Sequence, residues 1–296
     1  MGSLVRFIVR SRAHAISVAV IGILVPPFSI LTGAIVGLTI LRYRLADGAL
    51  VLAVSTVALG LVTGAFQPAV NFILFIGLPV FLLAQLLRQT ESQGIALTAA
   101  GAMSALALSG IHLLMADPVA WWAAQFERSI GRPIRESNPD FTPEMLERFD
   151  EVMAVMSLPV ATIASAMLTA MLTLWLARWM HASLDNPGGF GKEFRALRLD
   201  RRVAYVAVAL SLLSVVAGQF AHGLFLGLLV LVINMYTIQG IALVHAVVHK
   251  RGASVAWLVA MYVAIVMLQP AATLGLALTG FSDAWFDFRR RWGANV

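Results

Sequence analysis

Charge in this chain comes in islands. Six stretches contain no Asp, Glu, Lys or Arg: Ala13 to Leu41, Gly48 to Leu87, Ser92 to Ala116, Val152 to Ala177, Val203 to His249 and Gly252 to Ser282, together about two thirds of the residues. A helix needs ~20 apolar residues to cross a bilayer. Each run is therefore long enough to cross once, and Gly48 to Leu87 and Val203 to His249 are long enough to cross twice. The fold class this predicts is all-α, a polytopic transmembrane helical bundle of about eight spans. The whole of 1–296 reads as a single integral membrane domain.

The remaining composition excludes other classes. Only 12% of residues are charged, against roughly a quarter in soluble domains, and the mean hydropathy is +0.86. With no cysteine there is no disulfide framework and no thiolate nucleophile or ligand. The net charge of +6 would point to nucleic acid in a soluble domain. Here the Lys and Arg flank apolar runs, so membrane orientation explains them and no nucleic-acid partner is expected. Arg6, Arg10 and Arg12 before an apolar stretch resemble the start of a signal peptide, but no small-residue cleavage site follows, so a retained first helix is expected. Met1-Gly2 does not open a myristoylation motif, since Arg6 stands where Ser or Thr is required.

Counting basic residues island by island orients the bundle. Arg42 with Arg44, Arg88, the island from Arg178 to Arg202, and Lys250 with Arg251 are placed on the cytoplasmic face. Six crossings follow: Gly48 to Ala65, Gln67 to Leu87, Gly94 to Met115, Val152 to Ala177, Val203 to Gln219 and Gly223 to His249. Residues 116–152 then form an extracytoplasmic helical insertion and 178–202 a basic cytoplasmic loop. From Asp117 to Glu151 there are eight acids against four Arg. If the terminal runs each crossed once, eleven basic residues would lie inside and ten outside; if both turn back, the split is seventeen to four. Pro26-Pro27 and Gln269-Pro270 supply the breaks, although 29 or 31 residues make only short helices. The expectation is two short paired helices at each end, in a bacterial inner (plasma) membrane protein with its N-terminus inside.

Within 116–152, Trp121, Trp122 and Phe126 share one side of a short helix and suit the headgroup region. Thr142 before Pro143 reads as an N-cap, followed by Met145, Phe149 and Met153 at helical spacing. A lid on the bundle and a partner-docking or gating helix both fit this segment. Small residues at Gly33 and Gly37, at Gly223 and Gly227, and at Gly101, Ala105 and Ser109 form helical stripes that let backbones approach. They serve contacts inside the chain or a possible protein partner.

Polar residues at membrane depth are costly, so function is sought there. The set is Gln67, Asn71, His112, Asn234, Tyr236, Gln239, His245 and Gln269. Asn234 and His245 are eleven residues apart, close to three turns, and share a face. Asn71, His112, Asn234, Gln239 and His245 are the candidate substrate-binding residues; each has the competing reading of an amide or imidazole bonding a neighbouring helix. Catalytic patterns fail. His245 and His249 have zincin spacing, but Ala246 replaces the general base. Asp185 to Lys192 is no Walker A motif, since Asn186 stands for its first Gly and Glu193 for its Ser or Thr. No metal, cofactor or catalytic role is expected. A juxtamembrane helix is expected from Lys192 to Arg202, with Lys192, Arg195, Arg198, Arg201 and Arg202 against anionic headgroups at ~1 kcal/mol per basic residue. Docking of a cytoplasmic partner on the 178–202 loop is the alternative.

The break at Pro26-Pro27, the segment Leu41-Arg42-Tyr43-Arg44, the loop Asp185-Asn186-Pro187-Gly188-Gly189 and the closing Asp283-Ala284-Trp285-Phe286-Asp287-Phe288-Arg289 resemble the YybS-like family. Its members are bacterial predicted membrane proteins of unknown function. That family is similar in organisation to the substrate-binding components of energy-coupling-factor transporters, small helical bundles that bind a vitamin near the outer face and dock on a coupling module through small residues. The resemblance implies a transporter-like bundle and names no substrate. This chain is longer than those components and carries an extra acidic outside segment.

Two functions remain. In the first, a small organic ligand enters beneath the Trp121-Trp122 helix, is held by Asn71, His112 and Asn234, and is bound or transported; this predicts a pocket of ~300 Å³ or more with convergent polar groups. In the second, the chain is a non-transporting scaffold or accessory protein in envelope assembly, with a densely filled bundle.

Overall fold

A computed structural model of the chain describes residues 2–25, 28–156, 158–216, 219–286 and 288–291. The Pro26-Pro27 break lies outside the described residues, as does the join at 217–218. The described residues form helices joined by short turns and loops, with no strand among them. In chain order the helices are α1 (Gly2–Ile8), α2 (Arg12–Ile23), α3 (Ser29–Arg42), α4 (Leu45–Thr63), α5 (Phe66–Phe72), α6 (Leu78–Thr90), α7 (Gln93–Leu114), α8 (Pro118–Phe126), α9 (Arg132–Ser137), α10 (Pro143–Met156), α11 (Pro159–Asp185), α12 (Gly189–Ala196), α13 (Arg201–Val216), α14 (Gln219–Lys250), α15 (Ala256–Met267), α16 (Ala271–Phe286) and α17 (Phe288–Arg291). Single π-helical turns at Ile73–Gly77 and Glu127–Gly131 join α5 to α6 and α8 to α9.

Five segments among the described residues are long and apolar enough to cross a membrane: Leu45–Thr63, Phe66–Thr90, Gln93–Leu114, Pro159–Asp185 and Gly223–Lys250. They coincide with five of the six expected crossings. The sixth, α13, is a 16-residue helix. Where these helices begin follows from local chemistry. Ser92 accepts the amide of Ile95 at 3.3 Å, and Asp117 accepts that of Ala120 at 2.9 Å, with Pro118 in the first turn. Each cap satisfies a donor that has no partner inside its helix.

The first terminal run does form two short helices. At 14 residues α3 is about 21 Å long, short of a hydrocarbon core of about 30 Å. Yet it is the most enclosed element, with every residue from Thr32 to Ile40 buried. It packs against α2, α4, α6 and α11. Thr32 Oγ1 ties the pair together by donating to the Ala19 carbonyl at 2.8 Å. The last run also divides in two, at Gln269-Pro270, but unevenly. No residue of α15 is buried. By contrast α16 lies so close along α14 that a methyl group added at Gly240 would overlap the Leu276 carbonyl, and one at Gly280 the Tyr236 carbonyl. Small residues here permit backbone contact, as membrane helix packing requires.

The charge islands meet at one end of the bundle. Arg12 pairs with Asp47 at 2.8 Å, Arg42 with Asp185 at 2.6 Å, and Arg88 donates to the Ile40 carbonyl at 3.0 Å. Arg289 reaches the Leu197 carbonyl at 2.7 Å. Both terminal runs are thereby anchored beside the 178–202 loop. At the other end, α8 to α10 form the 116–152 insertion. Thr142 caps α10 by accepting the Met145 amide at 3.3 Å. Arg135 bridges Asp150, at 2.8 Å, and Glu127. Those two hydrogen bonds, the one to Asp150 foremost, push its guanidinium pKa above the ordinary value.

The stripes are mostly internal. Gly33 faces Ile76 and Thr173, Gly37 faces Ala177 and Val80, Gly101 faces Met235, and Gly227 faces Leu108. Gly223 has open space where a side chain would be. Three of the four glycines offered for a partner, Gly33, Gly37 and Gly227, are used within the chain.

Candidate functional site

Beneath α8 lies a cavity of about 400 Å³. Its walls come from the π turn with α6 (Leu74, Phe75, Leu78), from α7 (Met103, Ala107) and from α11 (Ala166, among others), and Trp122 lines it from above. The π turn widens the helix just where Leu74 and Phe75 line this space. Trp122 is fixed there because its indole N–H donates to Thr162 Oγ1 at 2.9 Å. Ser104 and Trp122 carry the only polar side-chain atoms on the wall. The volume exceeds ~300 Å³, the lower end for ligand pockets, while the lining offers almost nothing to a polar ligand. A second, smaller cavity of about 260 Å³ lies between α13, α14 and α16. The Tyr236 hydroxyl lies buried on its wall without a hydrogen-bond partner.

The candidate polar residues do not converge on the first cavity. Asn71 sits exposed on α5 and accepts from Gln67 at 2.8 Å. His112 uses Nδ1 on the Leu108 carbonyl at 2.9 Å, and Asn234 donates to the Val230 carbonyl at 2.9 Å. Both are bonds to the preceding turn of their own helix, the local back-bonding open to polar side chains. None of the three lines the cavity, and the expected convergence of Asn71, His112 and Asn234 on one ligand is not found. His245 Nε2 lies 2.9 Å from the Tyr262 hydroxyl, which joins α14 to α15. Among the described residues no cluster of three or more His, Asp or Glu is placed to hold a metal.

A profile of the family described as predicted membrane protein (DUF2232) matches residues 14–284. The chain belongs to the DUF2232 family. No curated protein and no solved structure matches it. For a DUF2232 protein, a membrane-embedded helical bundle is thus established, and chemistry must be read from the geometry alone.

Gln239 is the residue of the set with the most consequential position. In this DUF2232 chain it is fully buried, and its side chain clamps the 178–202 loop to the bundle. Its Oε1 accepts the Leu199 amide at 2.8 Å and its Nε2 donates to the Gly280 carbonyl at 2.8 Å. Around it the loop is held on every side. Arg178 donates to Glu193 from Nε at 2.9 Å, and Gln93 donates to the same carboxylate at 3.2 Å while accepting from Trp175 at 3.2 Å. Asp283, fully buried, accepts the Phe288 amide at 3.1 Å and pairs with Arg289 at 3.3 Å. A methyl group at Gly94 would overlap the Arg198 carbonyl.

This clamp corrects the expected helix from Lys192 to Arg202. Helix α12 ends at Ala196 and α13 starts at Arg201. Between them Gln239 takes the Leu199 amide and Arg289 the Leu197 carbonyl, and Arg289 also takes the carbonyl of Arg195 in the last turn of α12, groups that a continuous helix would bond internally. Nor are all five basic residues turned to headgroups. Arg198 donates to the Asp283 carbonyl at 2.8 Å and Arg201 to that of Ala284 at 3.1 Å, in the last turn of α16, where cations complement the helix dipole. Lys192 and Arg202 are exposed, and Arg195 is half-buried. Gln93 and Asp283 stand at the edges of charge-free runs, where a polar residue ordinarily meets headgroups, and Glu193 lies inside the basic island, so nothing local marks these three as interior partners.

Proposed function

We propose that this protein binds a small apolar or weakly polar organic ligand, of the class of a fatty acyl or isoprenoid chain, in a transporter-like bundle. The observation that carries the reading is the cavity beneath Trp122, which is large enough for such a ligand and almost wholly apolar. An apolar wall rewards a ligand at roughly 25 cal/mol per Å² of buried apolar surface and would leave a sugar or nucleobase with unpaired polar groups. The expectation of a small organic ligand is thereby narrowed to an apolar or weakly polar one. Basic-residue bias supports a cytoplasmic 178–202 end, with residues 116–152 outside, in a bacterial plasma membrane; no catalytic step is part of the reading.

The test is binding of a fluorescent polyene fatty acid and of unlabelled isoprenols to the purified protein, with Ala107→Trp as the cavity-filling variant. Saturable binding lost in Ala107→Trp supports the reading. No binding by any member of the panel, or equal binding by the filled variant, refutes it.

One observation favours the scaffold reading. Helix α10 leaves Met145, Val152, Val155 and Met156 exposed on the acidic insertion, an apolar strip suited to a partner in envelope assembly. Function that survives replacement of 117–151 by a short linker would count against it.

A further inference from the structure

At the loop end of the bundle a groove of about 430 Å³ runs between α11, α12, α14 and α15. Its lining is aromatic: Trp175, Trp179, Phe190, Phe194, His245 and Tyr262. The rings brace one another, Phe194 meeting both Trp175 and His245 edge to face at 5.2 and 5.5 Å. A polar pocket of about 280 Å³ continues from it, sharing His245 and lined also by Arg195 and His249. No acid is among its lining residues. Glu193, the one acid of α12, is engaged by Arg178 and Gln93. Arg195 is set in position from behind, its carbonyl held by Arg289. An apolar groove thus adjoins, at His245, a polar pocket that carries Arg195 and His249, at the level of the 178–202 loop. That is the charge and polarity profile of one molecule, a chain with an anionic head.

We propose that this groove seats a phospholipid with an anionic headgroup, its acyl chain against the Trp175, Trp179 and Phe194 rings and its phosphate at Arg195 and His249. The site is separate from the cavity beneath Trp122 and stands whether or not that cavity binds a ligand. Arg195 fits the phosphate as a fork of donors. The aromatic wall suits the interfacial depth at which the first chain methylenes lie.

The full-length protein in neutral detergent is titrated with dioleoyl phosphatidylglycerol or dioleoyl phosphatidylcholine, and retained lipid is counted by native mass spectrometry. Preference for phosphatidylglycerol is expected, falling roughly fivefold in Arg195→Gln and unchanged in Arg202→Gln, whose exposed side chain lies outside the pocket. Ile241→Trp, which fills the groove, should abolish retention of both lipids. Equal retention of the two lipids by the unaltered protein overturns the proposal, as does an equal loss in Arg195→Gln and Arg202→Gln. Displacement of the lipid by an equal concentration of glycerol phosphate also overturns it, because the site would then take a free phosphate.

Discussion

Replacing Gln239 by leucine should release the 197–200 segment from the bundle without unfolding the helices. The leucine fills much the same space but offers none of the amide's hydrogen bonds, to the Leu199 amide, the Gly280 carbonyl and, at 3.5 Å, the Asp283 carboxylate, which keeps Arg289 and the Phe288 amide. The Gly280 carbonyl lies within α16 and keeps helical bonding available. The Leu199 amide has no such alternative, and a buried donor left without an acceptor costs ~1–3 kcal/mol. Taking ~2 kcal/mol, the population in which the segment has lifted off rises roughly thirtyfold. The chain contains no cysteine, so Leu199→Cys, which keeps the backbone amide at a position only 3% exposed, provides a single reporter. Maleimide labelling of that cysteine should accelerate by about that factor when Gln239→Leu is added, while circular dichroism stays helical. A labelling rate changed by less than about twofold would show that Gln239 is not what holds the loop.

Three other outcomes follow from the same geometry. Arg289→Met leaves the fully buried Asp283 without its ion partner and should lower stability by ~3–5 kcal/mol; adding Asp283→Asn should restore part of it, as read by the midpoint of thermal unfolding in detergent. Gly280→Ala places a methyl group onto the Tyr236 carbonyl and should cost folded yield, whereas Gly110→Ala meets nothing within 4 Å and should be neutral or stabilising by ~0.5–1 kcal/mol through helix propensity; the two are compared by size-exclusion recovery after heating. In cells, an impermeant maleimide should label Ser137→Cys and leave Gly188→Cys unlabelled, since the insertion and the 178–202 loop lie at opposite ends; the reverse pattern would invert the orientation.

Much of the fold was legible because charge is so strongly partitioned. The charge-free runs locate the long helices, and Thr142 with Pro143 marks the start of α10 as the capping rule requires. The short paired helices of the first run follow from counting basic residues against length. What escaped was long-range or apolar. Nothing near Gln239 in sequence indicates that its partner is an amide 40 residues earlier, so it reads like any other intramembrane amide. The helix expected over Lys192 to Arg202 is propensity overridden by tertiary bonds from Gln239 and Arg289. The pocket expected beneath the Trp121-Trp122 helix is present, but its wall is Leu74, Met103 and Ala107, while Asn71, His112 and Asn234 satisfy themselves nearby. An apolar cavity has no residue type that announces it.

The loop clamp also has a bearing on biogenesis. A ribosome delivers Leu197 and Leu199 well before their partners: Gln239 comes 40 residues after Leu199, and Arg289 comes 92 residues after Leu197. Until α14 and α16 have entered the membrane, the segment between α12 and α13 has only the early contacts from Gln93 and Arg178 through Glu193. Closure of this end is therefore a late event in synthesis. A chain stalled before α16 would leave the basic loop between α12 and α13 open, with the Leu199 amide and the Leu197 carbonyl still without their partners.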